Sequence, residues 1–261
     1  MDDSRRISRT RPPVSVIVIT RNEAHNIAAC LRSVAWAEEC IVFDSGSADG
    51  TVAIAESLGA CVRQIDWRGY GPTKQLAAES ATHDWILSVD ADERVSAELA
   101  AEIEQALGAN THVAYEIPRL TQLAGDWIRH SGWYPDYTVR LFRRSHGRFK
   151  LARVHERVEV TGSVGRLKNH LLHHSFASFV EYVARQDKYA DLAAEELFNQ
   201  RRSAPLLRLW LSPAVAFVKR YVFKGGCLHG LVGWRLALVS SRTTYRKYAA
   251  LRKLKRRAAR P

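Results

Sequence analysis

"VSVIVIT" (Val14–Thr20) is an almost unbroken run of β-branched residues, interrupted only by Ser15. A strand so composed has no polar side to offer water, so it predicts a strand buried on both faces of a parallel sheet. After it, "RNEAHNIAACLRSVAWA" places Ile27, Leu31 and Val34 at helical spacing. "ECIVFDSGSADGT" reads as a second strand breaking into a Gly/Ser/Asp turn, and "VAIAESLGA" as the next helix. "CVRQIDW", "GPTKQLAAESAT" and "DWILSVDADE" follow as strand, helix and strand. The βαβαβαβ order implies right-handed crossovers and an open α/β sheet flanked by helices. In such sheets ligands bind beyond the carboxyl ends of the strands, where Glu23, Asp44 and the acids Asp90 and Asp92 fall.

"SAELAAEIEQALG" reads as a helix with Ser96 as N-cap or first-turn residue and Gly108 as stop signal. "HVAYEIPRLTQL" and "YTVRLFRR" read as strands framing the aromatic "AGDWIRHSGWYPD". From Ser178 onward the chain reads as mostly helical, with "SFVEYVARQDKYADLAAEELFNQR" a long amphipathic helix.

The 261 residues, 46% of them hydrophobic, suit one large core or a core with a small annex. Cys30, Cys40, Cys61 and Cys227 form no CxxC pair, which speaks against a zinc site and a disulfide framework and makes a reducing cytosol the simplest compartment. "MDDSRRISRTRPP" lacks the apolar core of a signal peptide, so nothing in it directs secretion, and it reads as a flexible lead. The net charge of +12 is uneven: no Asp or Glu follows Glu196, and 16 Arg or Lys lie from Arg201 onward. Such a tail fits nucleic acid or an anionic membrane face, and otherwise is a solvated basic end. No nucleic-acid module accompanies it, so no nucleic acid is expected. The longest charge-free stretches here, "LWLSPAVAFV" and "GGCLHGLVGW", are ten residues each, against about 20 for a bilayer span. Helices lying in the interface plane and ordinary packed helices both remain open.

Two carboxylates at i and i+2 near a strand end, Asp90 and Asp92, can face one way, and a divalent cation relieves their repulsion. Oxygen ligands point to Mg²⁺ or Mn²⁺, which typically bridge to substrate phosphates. The same acids can instead cap the next helix.

"VSVIVITRNEAHNIAACLRSV", "IVFDSGSADGT" and "WILSVDADE", in this order and spacing, resemble the nucleotide-sugar-binding half of inverting family 2 glycosyltransferases of the GT-A fold. The resemblance implies that Thr20, Glu23 and Asp44 line the base and ribose pocket, that Asp90 supports the nucleotide, and that Asp92 holds the metal on the diphosphate. Lys74 is either a second positive contact to phosphate or a surface lysine on its helix. Inversion needs a general base for the acceptor hydroxyl. The family pattern puts an acid downstream of the metal motif, which is Glu156 in "VHER", with His155 where a further acid often stands. Asp136 is the rival, and Glu156 pairing with Arg153 or Arg157 the structural alternative. A late histidine near metal and diphosphate would be His173 of "LLHHSF", with His174 the neighbouring candidate. Trp127, Trp133 and Tyr134 are either an apolar platform for a sugar face, with Trp133 and Tyr134 binding the acceptor, or core.

Further downstream, "GWYPDYTVRLFRR", "VHE", "LLHHSFASFVEYVARQDKYA" and the basic aromatic "FVKRYVFKGGCLHGLVGW" resemble the bacterial lipopolysaccharide core transferases, in particular the β-1,4-glucosyltransferase group acting on inner-core heptose. Two features depart from that pattern: "GPTKQLA", where Asn is expected after Lys74, and the strongly basic end. The resemblance implies a UDP-sugar donor and a lipid A-core glycolipid acceptor at the cytoplasmic face of the inner membrane. It divides the chain into a lead (1–12), a nucleotide-sugar half (13–108), an acceptor and catalytic half (109–177) and a helical, basic, membrane-surface region (178–261). Another cell-envelope acceptor, such as a polyprenyl phosphate or capsular glycan, and a catalytically silent sugar-nucleotide sensor are the other readings.

Overall fold

The computed structural model describes residues 12–150, 157–203 and 205–258. The β-branched run forms β1 (Val14–Thr20), with every residue buried. Its side chains alternate: Val14, Val16 and Val18 enter one apolar cluster, while Ile17 and Ile19 enter another. Each face is covered, so each such side chain contributes about 1.5–3 kcal/mol on burial. Ser15 is accommodated because its hydroxyl donates to Glu39.

The first half follows as α1 (Ile27–Ser33), β2 (Glu39–Asp44), α2 (Thr51–Ser57), β3 (Cys61–Gln64), α3 (Tyr70–Glu79) and β4 (Trp85–Asp90). These four strands are parallel in the order β3-β2-β1-β4. The fourth strand does not run on through the acids. The chain turns at Ala91 and Asp92 and resumes as β5 (Glu93–Val95), because Glu93 is drawn into the interior while Asp92 is left at the turn. α4 (Ala97–Ala109) then packs Leu99 and Ile103 into the cluster of Val14, Val16 and Val18.

Ser96 caps α4, its side chain accepting from the Leu99 N–H. Gly108 does not stop the helix. Asn110 does, taking the left-handed conformation at φ 49°, with its side-chain oxygen held 2.7 Å from Arg143 Nη2. Asparagine tolerates that region because its short polar side chain bonds locally.

The sheet continues through β6 (Ala114–Leu123), β7 (Asp126–Trp127), β8 (Asp136–Arg143), β11 (Val164–Arg166) and β12 (Leu171–Phe176), with a separate hairpin of β9 (Gly147–Phe149) and β10 (Val158–Val160). β8 is antiparallel to both β4 and β6, and β12 is antiparallel to β5. Helices α5 (Phe179–Asn199), α6 (Leu206–Val218) and α7 (Gly230–Ala258) close the chain, with a π-helical turn at Lys219–Phe223 and a 3-10 turn at Gly226–His229 between the last two.

The fold is thus α/β with a helical, basic C-terminal extension. The described residues form two compact units, one of those up to Arg119 with those within Asp136–His173, the other of Leu120–Pro135 with those from His174 on. The second has its own core, in which Leu123, Ile128, Tyr182, Leu236 and Val239 are buried. In it Arg242 and Arg246 of α7 bond Asp187 and Asp191 of α5 at 2.6–2.9 Å. The start of α7 packs so closely on the 3-10 turn that a Cβ on Gly233 would come 1.8 Å from the Gly226 carbonyl oxygen. Among the described residues, no helix is long and apolar enough to cross a membrane.

Candidate active site

The parallel register brings three expected residues together in the first unit. Thr20 ends β1 opposite Asp44 at the end of β2, and Ile19 lies opposite Asp90 at the end of β4. The Asp44 carboxylate is directed into its own loop, Oδ1 accepting from the Gly46 and Ser47 N–H groups at 3.0 and 2.9 Å and Oδ2 from the Ser47 hydroxyl. This fixes the Gly/Ser turn after β2. The Thr20 hydroxyl is buried with no hydrogen-bond partner among the described residues. Glu23 accepts from Asn26 Nδ2 at 2.9 Å, and its own N–H donates to Thr51 Oγ1 at 2.8 Å, tying the loop after β1 to α2.

Lys74 is not on the helix surface. It is 1% exposed, and its Nζ lies 2.6 Å from Asp90 Oδ1. α3 turns Gly71, Thr73, Ala77 and Ala78 inward with it, small side chains that bring the helix close to the sheet. The other Asp90 oxygen, Oδ2, accepts from Arg140 Nη2 at 2.9 Å. The same nitrogen donates to Glu93 Oε1 at 2.7 Å, and Glu93 Oε2 accepts the Asp90 N–H at 2.9 Å. Arg119 extends the network, with Nη1 3.8 Å from Glu93 and Nε and Nη2 donating to Asp136 Oδ2 at 3.1 and 2.7 Å.

These contacts set the ionisation of the acids. Burial acts to raise the Asp90 carboxyl, but the charges of Arg140 and Lys74 outweigh it and hold the group well below the usual carboxylate range. For Glu93 burial prevails: it pushes the carboxyl up, opposed by Arg140 and reinforced by the Asp90 charge.

Asp92 stands apart from this network. Its Oδ2 lies 3.1 Å from His173 Nε2, the two side chains 27% and 15% exposed. The pairing of β5 with β12 sets this contact by aligning His173 with Glu93. His174 lies in the other unit, with Nδ1 2.7 Å from Gln122 Oε1 and its ring edge-on to Trp127. A hard carboxylate oxygen and an imidazole nitrogen, both reachable from solvent, fit a divalent cation that takes its remaining ligands from phosphate and water. Among the described residues no group of three His, Cys, Asp or Glu side chains converges as a ready-made metal cage.

Glu156, with His155, lies outside the described residues. Trp133 and Tyr134 belong to the second unit. Trp133 packs on Phe176 and Tyr182 at ring distances of 6.3 and 5.5 Å, and Arg129 lies over the Tyr134 ring. Sequence reasoning missed Arg119 and Arg140 and assigned Glu93 nothing. The available signal was an arginine inside each of two apolar strands, "EIPRL" and "TVRLF", where a charge is buried only with partners.

A parallel βαβ sheet carrying acids beyond adjacent strand ends, joined to an antiparallel half, makes this an α/β protein whose candidate site lies at the carboxyl ends of the parallel strands. The family model for glycosyl transferase family 2 matches residues 15–164, and the chain belongs to that family. It is a glycosyltransferase. It is 29% identical over 252 residues to the lipopolysaccharide core biosynthesis glycosyltransferase LpsC of Rhizobium meliloti, covering 91% of this chain and 93% of that one. An uncharacterized glycosyltransferase of Rickettsia felis is 30% identical, covering 92% and 89%. Among solved structures, S. aureus TarS in complex with UDP-GlcNAc aligns at a TM-score of 0.48 and 15% identity, over 93% of this chain and 91% of that chain. M. tuberculosis glucosyl-3-phosphoglycerate synthase with Mn²⁺ and UDP aligns at 0.34 and 20% identity, over 43% and 44%. Likenesses at that level bear on no residue of the site.

Proposed function

We propose that this chain is an inverting glycosyltransferase that moves a hexose, glucose, from a UDP-sugar to the inner-core heptose of lipopolysaccharide. The observation that carries the reading is the division of labour among the acids. Asp90 has both oxygens engaged by Lys74 and Arg140, whereas Asp92, equally exposed at 27%, meets His173 through one oxygen. Asp92 and His173 would hold Mg²⁺ or Mn²⁺ against the donor diphosphate. When bound, the cation offsets the negative charge that develops on departing UDP.

The chain's own residues do the rest. Thr20, Glu23 and Asp44 border the base and ribose, where the unpartnered Thr20 hydroxyl and the Asp44-braced loop supply hydrogen-bonding groups. Asp90 supports the nucleotide, and Lys74 fixes Asp90 while adding positive charge toward the diphosphate. A carboxylate, Glu156 or Asp136, accepts the proton of the acceptor hydroxyl as its oxygen bonds to the anomeric carbon and the bond to the β-phosphate oxygen breaks. Arg119 bonds only one Asp136 oxygen, Oδ2, which leaves Oδ1 outside that pair. Trp133 and Tyr134 would offer aromatic surface to the acceptor sugar.

The acceptor reading rests on LpsC, whose name places it in lipopolysaccharide core biosynthesis. It agrees with the acid-free basic end, since lipid A-core is an anionic glycolipid made at the cytoplasmic face of the inner membrane. A protein working there as a peripheral enzyme gains up to about 1 kcal/mol per basic residue near the surface. The test is incubation of purified protein and Mn²⁺ or Mg²⁺ with a panel of UDP- and ADP-sugars and truncated core lipid, following nucleotide release. Acceptor-dependent UDP release from UDP-glucose is expected. Release only with a non-lipopolysaccharide acceptor, or from no UDP-sugar, overturns the reading.

A further inference from the structure

Two features of the second unit stand unused by the chemistry. The first is the face of α6: Leu207, Trp210, Leu211, Val215 and Val218 recur at helical spacing and all face solvent, Leu207 at 70% and Trp210 at 68% exposed. The strip runs on to Phe223 in the π-helical turn, 79% exposed. Water-facing apolar strips of this length mark interaction surfaces. The second is a groove of about 610 Å³ between the start of α6 and the last turns of α7, lined by Leu206, Leu209, Arg252, Lys253, Arg256 and Arg257 among others. Leucines and cations share its wall, and among the described residues no acid does. Since no Asp or Glu follows Glu196, neither helix has one of its own to neutralise it. In the middle of α7, Arg242 and Arg246 are bonded to the acids of α5.

We propose that this groove binds the phosphate-bearing headgroup of an anionic phospholipid, with the α6 face lying in the bilayer interface. Cations beside the exposed Leu206 match a lipid phosphate above the start of its acyl chains, and the separate apolar strip of α6 suits a helix lying in the interface plane. Trp210 sits on that face as an interfacial anchor. A second copy is a poorer occupant, because it would bring together two cationic ends of chains that each carry +12. The inference rests on the proposed work at an anionic membrane, and its test measures lipid binding without turnover, so the two can fail separately.

The full chain is floated with phosphatidylcholine vesicles, with and without phosphatidylglycerol. The double variant Lys253→Glu/Arg256→Glu is compared with Arg32→Glu/Arg68→Glu, the same charge change on exposed residues of the first unit. The groove variant is expected to lose at least about tenfold in partition to the anionic vesicles, and the control much less. Brominated lipid is expected to quench wild-type fluorescence by an amount that Trp210→Phe removes, and Leu207→Gln with Leu211→Gln to weaken binding even at high salt. Equal loss in the two charge variants, or quenching unchanged by Trp210→Phe, overturns the proposal. So does inorganic phosphate that displaces the protein from vesicles at low millimolar concentration, or vesicle-independent dimerisation that the Leu207 and Leu211 changes abolish. If the Glu reversals lower the melting temperature, Lys253→Gln/Arg256→Gln makes the same comparison.

Discussion

Lys74, on α3, places its ammonium 2.6 Å from Asp90 Oδ1 at the end of β4 while remaining almost wholly buried. A buried lysine that loses its carboxylate is costly, and so is the carboxylate left behind. Lys74→Met is therefore expected to destabilise the fold by about 3 kcal/mol, as is usual when one partner of a buried pair is removed. Urea unfolding measures this. A change under about 0.5 kcal/mol, the ordinary range for surface substitutions, would mean that the lysine sits at the surface.

Glu93 accepts from Arg140 with one oxygen and from the Asp90 N–H with the other, so it braces the turn that presents Asp92. An amide supplies only one acceptor atom. Glu93→Gln is expected to cost about 2–4 kcal/mol of stability, by loss of a charge-assisted bond and exposure of the Arg140 charge to a poorer partner. Arg140→Lys keeps the charge but ends one bond short of Nη2, the nitrogen that bonds both Asp90 and Glu93, and is expected to recover less than half of what Arg140→Met loses.

Asp84 gives a pH signature outside the site. Burial acts to raise its carboxyl, but donation from Arg143 Nη1 at 2.8 Å and from Ser145 at 3.0 Å leaves it lowered overall. With the folded value below the unfolded value of about 3.9, the contribution is fully present above that pH. It is lost as pH falls through the folded value. Asp84→Asn should flatten the acid limb of a stability-against-pH curve below pH ~4 and lower stability at neutral pH. An acid limb that keeps its slope contradicts the assignment.

The two candidate bases separate by substitution. Glu156→Gln is expected to lower turnover by about 10²–10⁴-fold, the range of general base catalysis, with donor binding retained. Asp136→Asn is expected to cost less and to act through the position of Arg119, the partner it holds at 2.7 Å. If turnover survives Glu156→Gln and collapses with Asp136→Asn, the base is Asp136.

The parallel half of the fold was legible because its signals are local. β1 is β-branched on both faces and both faces are buried, and the acids at the ends of β2 and β4 follow directly from strands of matching register. The charge network was not, because its partners meet only after the antiparallel half returns to the sheet: Arg140 lies 50 residues from Asp90 and 47 from Glu93. Lys74 was read as exposed or phosphate-facing because a helix pattern shows spacing and not depth. Its burial depends on the small residues Gly71, Thr73, Ala77 and Ala78 letting α3 approach the sheet. Gly108 misled for a related reason: glycine is the commonest helix stop, yet Asn110 had a partner in Arg143 that fixed the left-handed turn two residues later.

The basic end and the acidic strand ends belong to different units and are proposed to serve different ligands, the membrane and the donor. Adding salt should therefore weaken vesicle binding while leaving donor affinity nearly unchanged, since surface attraction is screened within about 10 Å at 0.1 M ionic strength. Parallel titrations of the full chain with vesicles and with UDP-glucose compare the two. Equal salt dependence would join the charges into one site.

Asp92, and not the ion-paired Asp90, is proposed to hold the cation on the donor diphosphate. UDP release from wild type and Asp92→Asn under saturating Mn²⁺ and UDP-sugar, with melting temperatures measured alongside, decides this. A loss of at least about 100-fold, or about 2.7 kcal/mol of transition-state stabilisation, is expected with the fold unchanged. Unaltered turnover in Asp92→Asn contradicts it.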